Sequence, residues 1–412
     1  MPRVKLPFND TDAEVEIRGT PCLSSCELPS PLTDINNDLA TSLREPVSSP
    51  PLEEMVDRND SISLLVPDIT RGTSVKTVLP ALIDELIRSG AENDRIEILI
   101  ATGAHRPETD AELVDHLGRD IVDEFRLYQH RADDLEGNIR VGRTESNQDV
   151  RLDRRMMHAD LIIPVGMVSF HYFAGFGGGR KMIMPGMAGI DSIMRNHRLS
   201  LKPRPEEGFA PGCEAANLEG NPVHQDMIST VKLLNKKIFL INLVNGPDGS
   251  LIFINAGDIF DSHLRACEYY REEFTIKLED EFETAVVSCG GAPKDINLLQ
   301  AHKTLRYASR GVKTGGDIYC LAACREGVGS SSYLESISRN NIGEGVYTLN
   351  TQTAVSTREL TENYSIYLRS ELDDGIVRQF GFIPWNGRVA GRKKESVLVI
   401  GNSSLFLPEV SG

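Results

Sequence analysis

The stretch at 169–189, SFHYFAGFGGGRKMIMPGMAG, constrains what this chain can fold into more than any other part of its sequence. Glycines occupy positions 175, 177, 178 and 179, and the cations Arg180 and Lys181 follow them directly. A short apolar run at 161–165 leads into the stretch, and apolar residues with helical spacing follow it. A strand, a glycine-rich loop and a helix in this order favour an anion-binding site, because backbone N–H groups and a helix N-terminus face the ligand.

Two common phosphate-binding motifs do not match this loop. A P-loop requires G-x-x-x-x-G-K-[ST], but Arg180 precedes Lys181 and Met182 follows it. The dinucleotide fingerprint G-x-G-x-x-G fits Gly175 and Gly177, but its last position is Arg180. A glycine-rich turn without a ligand stays an alternative. Glycine loses more backbone entropy on folding than other residues do. Four glycines in five positions therefore indicate that the loop closely approaches another group.

The strand–loop–helix pattern occurs twice more in the first half of the chain. Apolar runs at 61–66 and 95–101 predict strands, and the polar loops DITRG at 68–72 and TGAHRP at 102–107 follow them. A helical pattern follows each loop. Ligands of parallel α/β sheets bind outside the carboxyl ends of the strands. Three polar loops in this position therefore predict one shared site.

The chain is predicted to form two α/β domains with Rossmann-like parallel sheets and the active site in the cleft between them. We expect the first domain at 1–275, with a polar loop or arm at 22–53. The pattern restarts near residue 275, which predicts a second α/β domain at 276–395. The tail at 396–412 holds an apolar strand, 396–400, that we expect to return to the first sheet because chain termini often lie close together.

Composition narrows the range of partners. A net charge of −16 argues against nucleic acid, so an anionic substrate would need a local cluster of Lys and Arg. The seven cysteines form no C-x-x-C pair, which predicts reduced thiols and a cytoplasmic protein. No stretch approaches the ~20 apolar residues of a membrane span, so we expect no membrane partner.

Three histidines on separate segments, His105, His171 and His197, are the candidates for chemistry. Histidine works as an acid or base near neutral pH, and two on opposite sides of a carbon suit racemisation. Three could instead bind zinc with an open water position, as in a zinc-dependent hydrolase or lyase. A protein that only binds an anion is the third alternative, and the spacing does not choose among them. The other candidate side chains are Asp68, Arg71, Lys181, Gln300 and Lys303.

The ordered motifs resemble those of the lactate racemase family of nickel-pincer-nucleotide enzymes. DITR at 68–71 resembles its D-x-T-R, and TGAHRP at 102–107 resembles its T-G-x-H-R. HYFAGFGGGRKMIMPG at 171–186 resembles its H-x-x-x-G-x-x-G-G-x-K-x-x-x-P-G. The resemblance covers the chain from residue 61 to about residue 309.

The resemblance implies a nickel-pincer nucleotide, pyridinium-3,5-bisthiocarboxylic acid mononucleotide nickel, covalently attached at Lys181. His197 lies where the family has its metal histidine, which implies that it binds the nickel (Ni). The residues that we expect on the cofactor side are Lys181, Asp68, Thr70, Gly177, Gly178 and Gly179.

The reaction that the resemblance implies is inversion at C2 of a 2-hydroxy acid by reversible hydride transfer to the pyridinium ring. His105 and His171 would be the two acid/bases, one for each enantiomer. The residues expected to bind the substrate are Arg71, Gln300 and Lys303, the last two matching a family Q-x-x-K. The implied partners are a small 2-hydroxy acid and the cofactor-synthesis proteins, and a homodimer is left open.

One departure from the family pattern bears on the substrate. Leu299 precedes the glutamine of Q-x-x-K, where the lactate-specific enzyme has tyrosine. We therefore expect a substrate range that is not restricted to lactate. Our hypothesis is that Arg306 or Arg180 meets a second carboxylate or polar tail of a larger substrate.

Overall fold

The structure is a computed structural model that describes residues 1–71, 74–338, 347–390 and 395–411. The side chain of Arg71 lies outside the described part.

The described ranges fold into alternating strands and helices. The strands are β1 (Arg3–Phe8), β2 (Thr11–Ile17), β3 (Thr20–Leu23), β4 (Ile62–Pro67), β5 (Ile96–Ala101), β6 (Arg126–Gln129), β7 (Asn138–Arg143), β8 (Asp149–Asp153), β9 (Leu161–Met167), β10 (Phe170–His171), β11 (Gly175–Phe176), β12 (Lys237–Ile238), β13 (Leu240–Asn245), β14 (Leu251–Gly257), β15 (Thr275–Leu278), β16 (Phe282–Ser288), β17 (Val312–Leu321), β18 (Ser365–Arg369), β19 (Ile383–Pro384), β20 (Arg388–Val389), β21 (Ser396–Ile400) and β22 (Leu407–Val410). The helices are α1 (Ile35–Arg44), α2 (Leu52–Met55), α3 (Ser74–Arg88), α4 (Asp110–Leu117), α5 (Arg119–Glu124), α6 (Arg154–His158), α7 (Ile190–Arg198), α8 (Pro222–Lys232), α9 (Asp261–Phe274), α10 (Leu298–Ala308), α11 (Ser331–Ser338), α12 (Thr351–Asn363) and α13 (Asp374–Gln379).

The first sheet has the strand order β14-β13-β9-β4-β5-β6, with β12 also paired to β9. Its pairings are parallel except for that between β13 and β14. Every residue of β4 is buried, as expected for a strand with helices on both faces. The predicted α/β fold is confirmed, and the strands predicted at 61–66, 95–101 and 161–165 appear within two residues of their expected limits.

The segment at 22–53 is more regular than its polar composition indicates. It contains α1, which begins after Asp34, whose side chain accepts a hydrogen bond of 3.1 Å from the N–H of Asn37. Leu39 and Leu43 lie one helical turn apart and are buried in the same core as α3. The expectation of a loop is wrong here, because two apolar residues at the right spacing are enough to fix a helix once a sheet covers them.

The second sheet has the order β19-β18-β17-β16-β21-β3, and all of its pairings are parallel. The strand at 396–400, expected in the first sheet, is β21 of this second sheet, where it pairs with β16 and β3. Residues 397–400 are buried, so this apolar strand fills the position between those two strands. The N-terminal strand β3 also belongs to this sheet, so the first domain does not include all of 1–275.

The two sheets meet at a cleft. The loops that follow β4, β5 and β9 line it from the first domain, and α10 with residues 349–353 lines it from the second. This agrees with the expectation that the carboxyl ends of parallel strands carry the site. None of the helices in the described ranges is long and apolar enough to cross a membrane.

Candidate active site

The cleft has a volume of about 540 Å³ and brings together most of the side chains that the motifs indicated. Those that line it are Asp68, Thr70, His105, His171, Gly177, Gly178, Lys181, His197, Gln300 and Lys303. Gly179 is not among the lining residues in the described part of the chain.

His105 is held by a buried carboxylate. Its Nδ1 lies 2.7 Å from Oδ2 of Asp68, which is 4% exposed. The other oxygen of Asp68 accepts from the N–H of Thr70 at 3.0 Å and from the Thr70 hydroxyl. An ionised carboxylate only accepts, so Nδ1 of His105 donates and Nε2 of the neutral ring has a lone pair. The ring is thus set as a base, with Asp68 ready to stabilise the imidazolium.

His171 has the opposite arrangement. Its Nδ1 accepts from the backbone N–H of Ala174 at 3.3 Å, so the proton of the neutral ring is on Nε2. The ring stacks on Tyr172 at 5.4 Å and meets Phe173 edge-on at 4.5 Å, measured between ring centroids. The two neutral rings therefore present different nitrogens to their surroundings, with the lone pair of His105 and the proton of His171 both on Nε2.

Lys181 and His197 both lie close to Phe173. The Nζ of Lys181 is 5.7 Å from the centre of the Phe173 ring, and the His197 ring is 5.1 Å from it. Burial, together with the nearby Lys181 cation, lowers the pKa of His197 to about 3. His197 is thus a neutral imidazole with a lone pair, the form that binds metals.

Close packing requires glycine at two positions of the loop. Gly178 and Gly179 have φ of 67° and 54°, in the left-handed region. A Cβ at Gly178 would lie 3.0 Å from the carbonyl oxygen of Met167, and one at Gly179 would lie 2.4 Å from the His263 ring. Close packing accounts for these two glycines without a ligand. Binding of a phosphate by the loop stays a prediction.

The two arginines that we considered for a larger substrate are engaged elsewhere. Arg180 is fully buried, 3.2 Å from Nε2 of His263, and donates to the carbonyl of Ala174 at 2.8 Å. Arg306 pairs with Glu359 at 3.0 Å, and neither arginine is among the described residues that line the cleft. The hypothesis for both is wrong, because position on a helix or loop does not reveal which partner a cation finds.

In the second domain, Gln300 and Lys303 lie near the start of α10. Asn297 caps the helix by accepting from the N–H of Gln300 at 3.0 Å, and Lys303 donates to Oε1 of Gln300 at 2.8 Å. Leu299 lines the cleft beside them. Gln300 and Lys303, three residues apart, therefore meet on one face of α10.

Some side chains of the site had no signal in the sequence. Phe173 contacts the His197 ring and lies beside Lys181, and its place inside the motif region did not indicate either contact. The Tyr172 hydroxyl lies 2.9 Å from Oγ1 of Thr353 and so joins the two domains beside the cleft. Thr353 lies in a helix without any motif, and only the tertiary structure identifies it.

Among the described residues, no group of three or more His, Cys, Asp or Glu side chains could hold a metal ion. The three-histidine zinc site that the sequence left open is therefore not formed by His105, His171 and His197 in this arrangement.

A buried histidine behind the site predicts a pH-dependent stability. His302 is 1% exposed, bonds Ser356 at 2.8 Å, and has its pKa lowered to about 3, chiefly by burial. An unfolded histidine has a pKa of about 6.5, so between these values the unfolded state binds the extra proton and stability falls as pH falls. His302→Gln should reduce this slope by about 1.4 kcal/mol per pH unit below roughly pH 6. Urea unfolding at pH 7, 6 and 5 measures it. The exposed His158→Gln is the control, and an unchanged slope for the His302 variant would contradict the account.

The sequence was compared with known proteins. Family models match in two blocks, the lactate racemase N-terminal domain at residues 9–208 and the lactate racemase C-terminal domain at 279–362. The lactate racemase of Lactiplantibacillus plantarum is 34% identical over 297 residues, which are 72% of this chain and 68% of that protein. The lactate racemase of Thermoanaerobacterium thermosaccharolyticum is 30% identical over 292 residues, 71% of this chain and 66% of that protein.

A solved structure has the same fold. The lactate racemase apoprotein from Thermoanaerobacterium thermosaccharolyticum superposes with a TM-score of 0.86 at 23% identity, covering 99% of this chain and 100% of that chain. A protein from Thermotoga maritima gives a TM-score of 0.69 at 17% identity, covering 93% of this chain and 100% of that chain. The sequence matches and the shared fold agree, and the chain belongs to the lactate racemase family.

Proposed function

We propose that this chain is a 2-hydroxy acid racemase or epimerase that inverts C2 by reversible hydride transfer. The observation that carries the proposal is that His105, held by the Asp68 carboxylate, and His171 both line one cleft. Two imidazoles in one cleft can act as a base and, in the imidazolium form, as an acid, as removal and return of a hydroxyl proton require. The relatives named lactate racemase support a racemase rather than a hydrolase or a protein that only binds anions.

The residues of the cleft fit a nickel-pincer nucleotide. Lys181 offers an amine for the covalent attachment, and His197 offers a neutral imidazole, a donor that suits nickel. When bound, this cofactor would supply a pyridinium ring as the hydride acceptor. Gly177 and Gly178 also line the cleft, whereas Asp68 is engaged with Thr70 and with His105.

The chain's own side chains account for the proton steps and for substrate binding. His105 takes the hydroxyl proton on Nε2, and Asp68 stabilises the imidazolium that forms. His171 returns a proton from Nε2 in its imidazolium form, and for the other enantiomer the roles exchange; both forms require the 3.3 Å bond from the Ala174 N–H to Nδ1 to open. Lys303, held by Gln300, provides positive charge for the carboxylate in a chain whose net charge is −16. Arg71 belongs to this group by motif alone.

Asp68→Asn should lower kcat by roughly 10²-fold to 10⁴-fold. The amide no longer fixes the tautomer of His105 and does not stabilise an imidazolium. Initial rates with each enantiomer measure the effect. Thr70→Val, which removes one hydrogen bond but keeps the carboxylate, is the matched control and should cost less than about tenfold. A kcat of Asp68→Asn equal to that of the wild type would contradict the role given to the carboxylate.

The function is tested on protein co-expressed with the cofactor-synthesis proteins. We expect added mass on the peptide that contains Lys181, stoichiometric nickel, and interconversion within a panel of chiral 2-hydroxy acids. The panel should include acids longer than lactate, because Leu299 lines the cleft. An unmodified Lys181 with bound zinc would favour the hydrolase or lyase. An unmodified lysine without metal would leave anion binding as the function.

A further inference from the structure

A buried polar chain lies behind His197, on the side of α7 that packs against α8. It consists of Thr144, Asn196 and Asp226, which are 5%, 0% and 1% exposed. Asn196 directly precedes His197 on α7, and Asp226 lies on α8. Buried polar groups are retained only where their hydrogen bonds are made, so the direction of each bond is informative.

The hydrogen bonds of Asn196 fix the orientation of its amide. Its Nδ2 donates to Oδ2 of Asp226 at 2.9 Å and to the carbonyl oxygen of Val223 at 3.2 Å. Both partners are acceptors only, and the amide NH₂ has two hydrogens to give. Turning the amide over would set its oxygen against a carboxylate and a carbonyl. The Oδ1 of Asn196 therefore faces away from α8.

That oxygen lies 3.3 Å from Nδ1 of His197. An amide oxygen only accepts, so Nδ1 of His197 is the donor. A neutral imidazole has one N–H, which leaves Nε2 with the lone pair. His197 lines the cleft, and Asn196 is fully buried behind it.

The carboxylate that orients the amide is itself held in place. The hydroxyl of Thr144 donates to Oδ1 of Asp226 at 2.6 Å, so each oxygen of Asp226 has its own donor. The competing explanation is that the chain only fastens α7 to α8. In that case the tautomer of His197 would not respond to the loss of Asn196.

We propose that Asn196 and Asp226 are positioning residues that hold His197 with its proton on Nδ1, so that Nε2 is available as a metal ligand before any cofactor arrives. Partners of this kind commonly fix the tautomer of metal-binding histidines. The inference rests on the proposed function only for the use of Nε2. The tautomer is a property of the chain itself.

The tautomer is measured on protein made without the cofactor-synthesis proteins. Histidine labelled with ¹⁵N gives imidazole nitrogen shifts that distinguish protonated from unprotonated nitrogens, and His197→Gln identifies the signal of His197. The wild type should show His197 protonated on Nδ1. Asn196→Leu, similar in volume but without an acceptor, should move the proton mainly to Nε2, which is the commoner tautomer of free histidine.

Two further variants separate positioning from packing. Asp226→Asn removes the charge that orients the Asn196 amide and should give a mixture of tautomers, even if Asn196→Leu proves unstable. Thr144→Val keeps the bond between Asp226 and Asn196 and should leave the tautomer unchanged. His130, which lies 3.1 Å from Asp153, should be unaffected throughout and serves as an internal control.

Retention of nickel gives a second readout. In protein co-expressed with the cofactor-synthesis proteins, Asn196→Leu should lose nickel to a chelator roughly 10- to 100-fold faster than the wild type. Wild-type His197 protonated on Nε2, or an Asn196→Leu variant that keeps the proton on Nδ1, would overturn the inference. An unmodified Lys181 without nickel would instead overturn the proposed function and leave the tautomer result standing.

Discussion

Lys181→Arg should give a folded protein that has lost more than about a thousandfold of its racemase activity, because in the proposed function the hydride chemistry belongs to a cofactor that arginine does not attach. The variant keeps the cation beside the Phe173 ring and His197, so the electrostatics of the site change little. The guanidinium group is always protonated and delocalised, which makes it unsuited to the covalent attachment. Chiral chromatography of the product and the mass of the peptide that contains residue 181 measure the two effects together.

Lys76→Arg is the matched control, because Lys76 is an exposed lysine of α3 outside the cleft. It should keep full activity and the full added mass. Racemisation by Lys181→Arg at the wild-type rate would show that the attachment is elsewhere or is not needed.

Single replacements of the two histidines that we propose as acid/bases should have effects of similar size. His105→Gln and His171→Gln should each lower kcat by roughly 10²-fold to 10⁴-fold. Each direction of the reaction needs one histidine as base and the other as acid, so the loss of either slows both directions. Initial rates from each enantiomer, with His158→Gln as the exposed control, measure this.

The assay contains its own check. The equilibrium constant between two enantiomers is one. In any variant, kcat/KM must therefore fall by the same factor with either enantiomer as the substrate. A large loss in one histidine variant and none in the other would show that a single side chain carries both proton transfers. That outcome would remove the basis for two opposed acid/bases.

The central part of the fold and the gathering of the site could be predicted from local patterns. Strands β4, β5 and β9 are apolar runs bounded by polar loops, and runs of this kind predict strands of a parallel sheet. Once three loops lie at one edge of a sheet, His105 and His171 must come near each other. The inward direction of His197 follows from helical spacing, and the structure agrees.

What could not be predicted depends on partners distant in the sequence. An apolar strand such as β21 fits either parallel sheet, and only packing assigns it to the second. The burial of Arg180 depends on His263, more than eighty residues away. The carboxylate partner of His105 is Asp68, which lies 37 residues earlier in the chain. In each case the residue could be identified from the sequence, but the partner that it contacts could not.

The pairing of β3 with β21 has a consequence for the order of assembly. The strands of the first sheet lie within residues 62–257, whereas about 370 residues separate Leu23 of β3 from Ser396 of β21. At usual rates of translation this delay is roughly 20 to 75 s. The domain that contains Lys181 can fold on the ribosome before β21 is made. The second sheet, on the opposite side of the cleft, cannot be completed until β21 is made. Cofactor attachment that requires both walls should therefore come after the synthesis of β21.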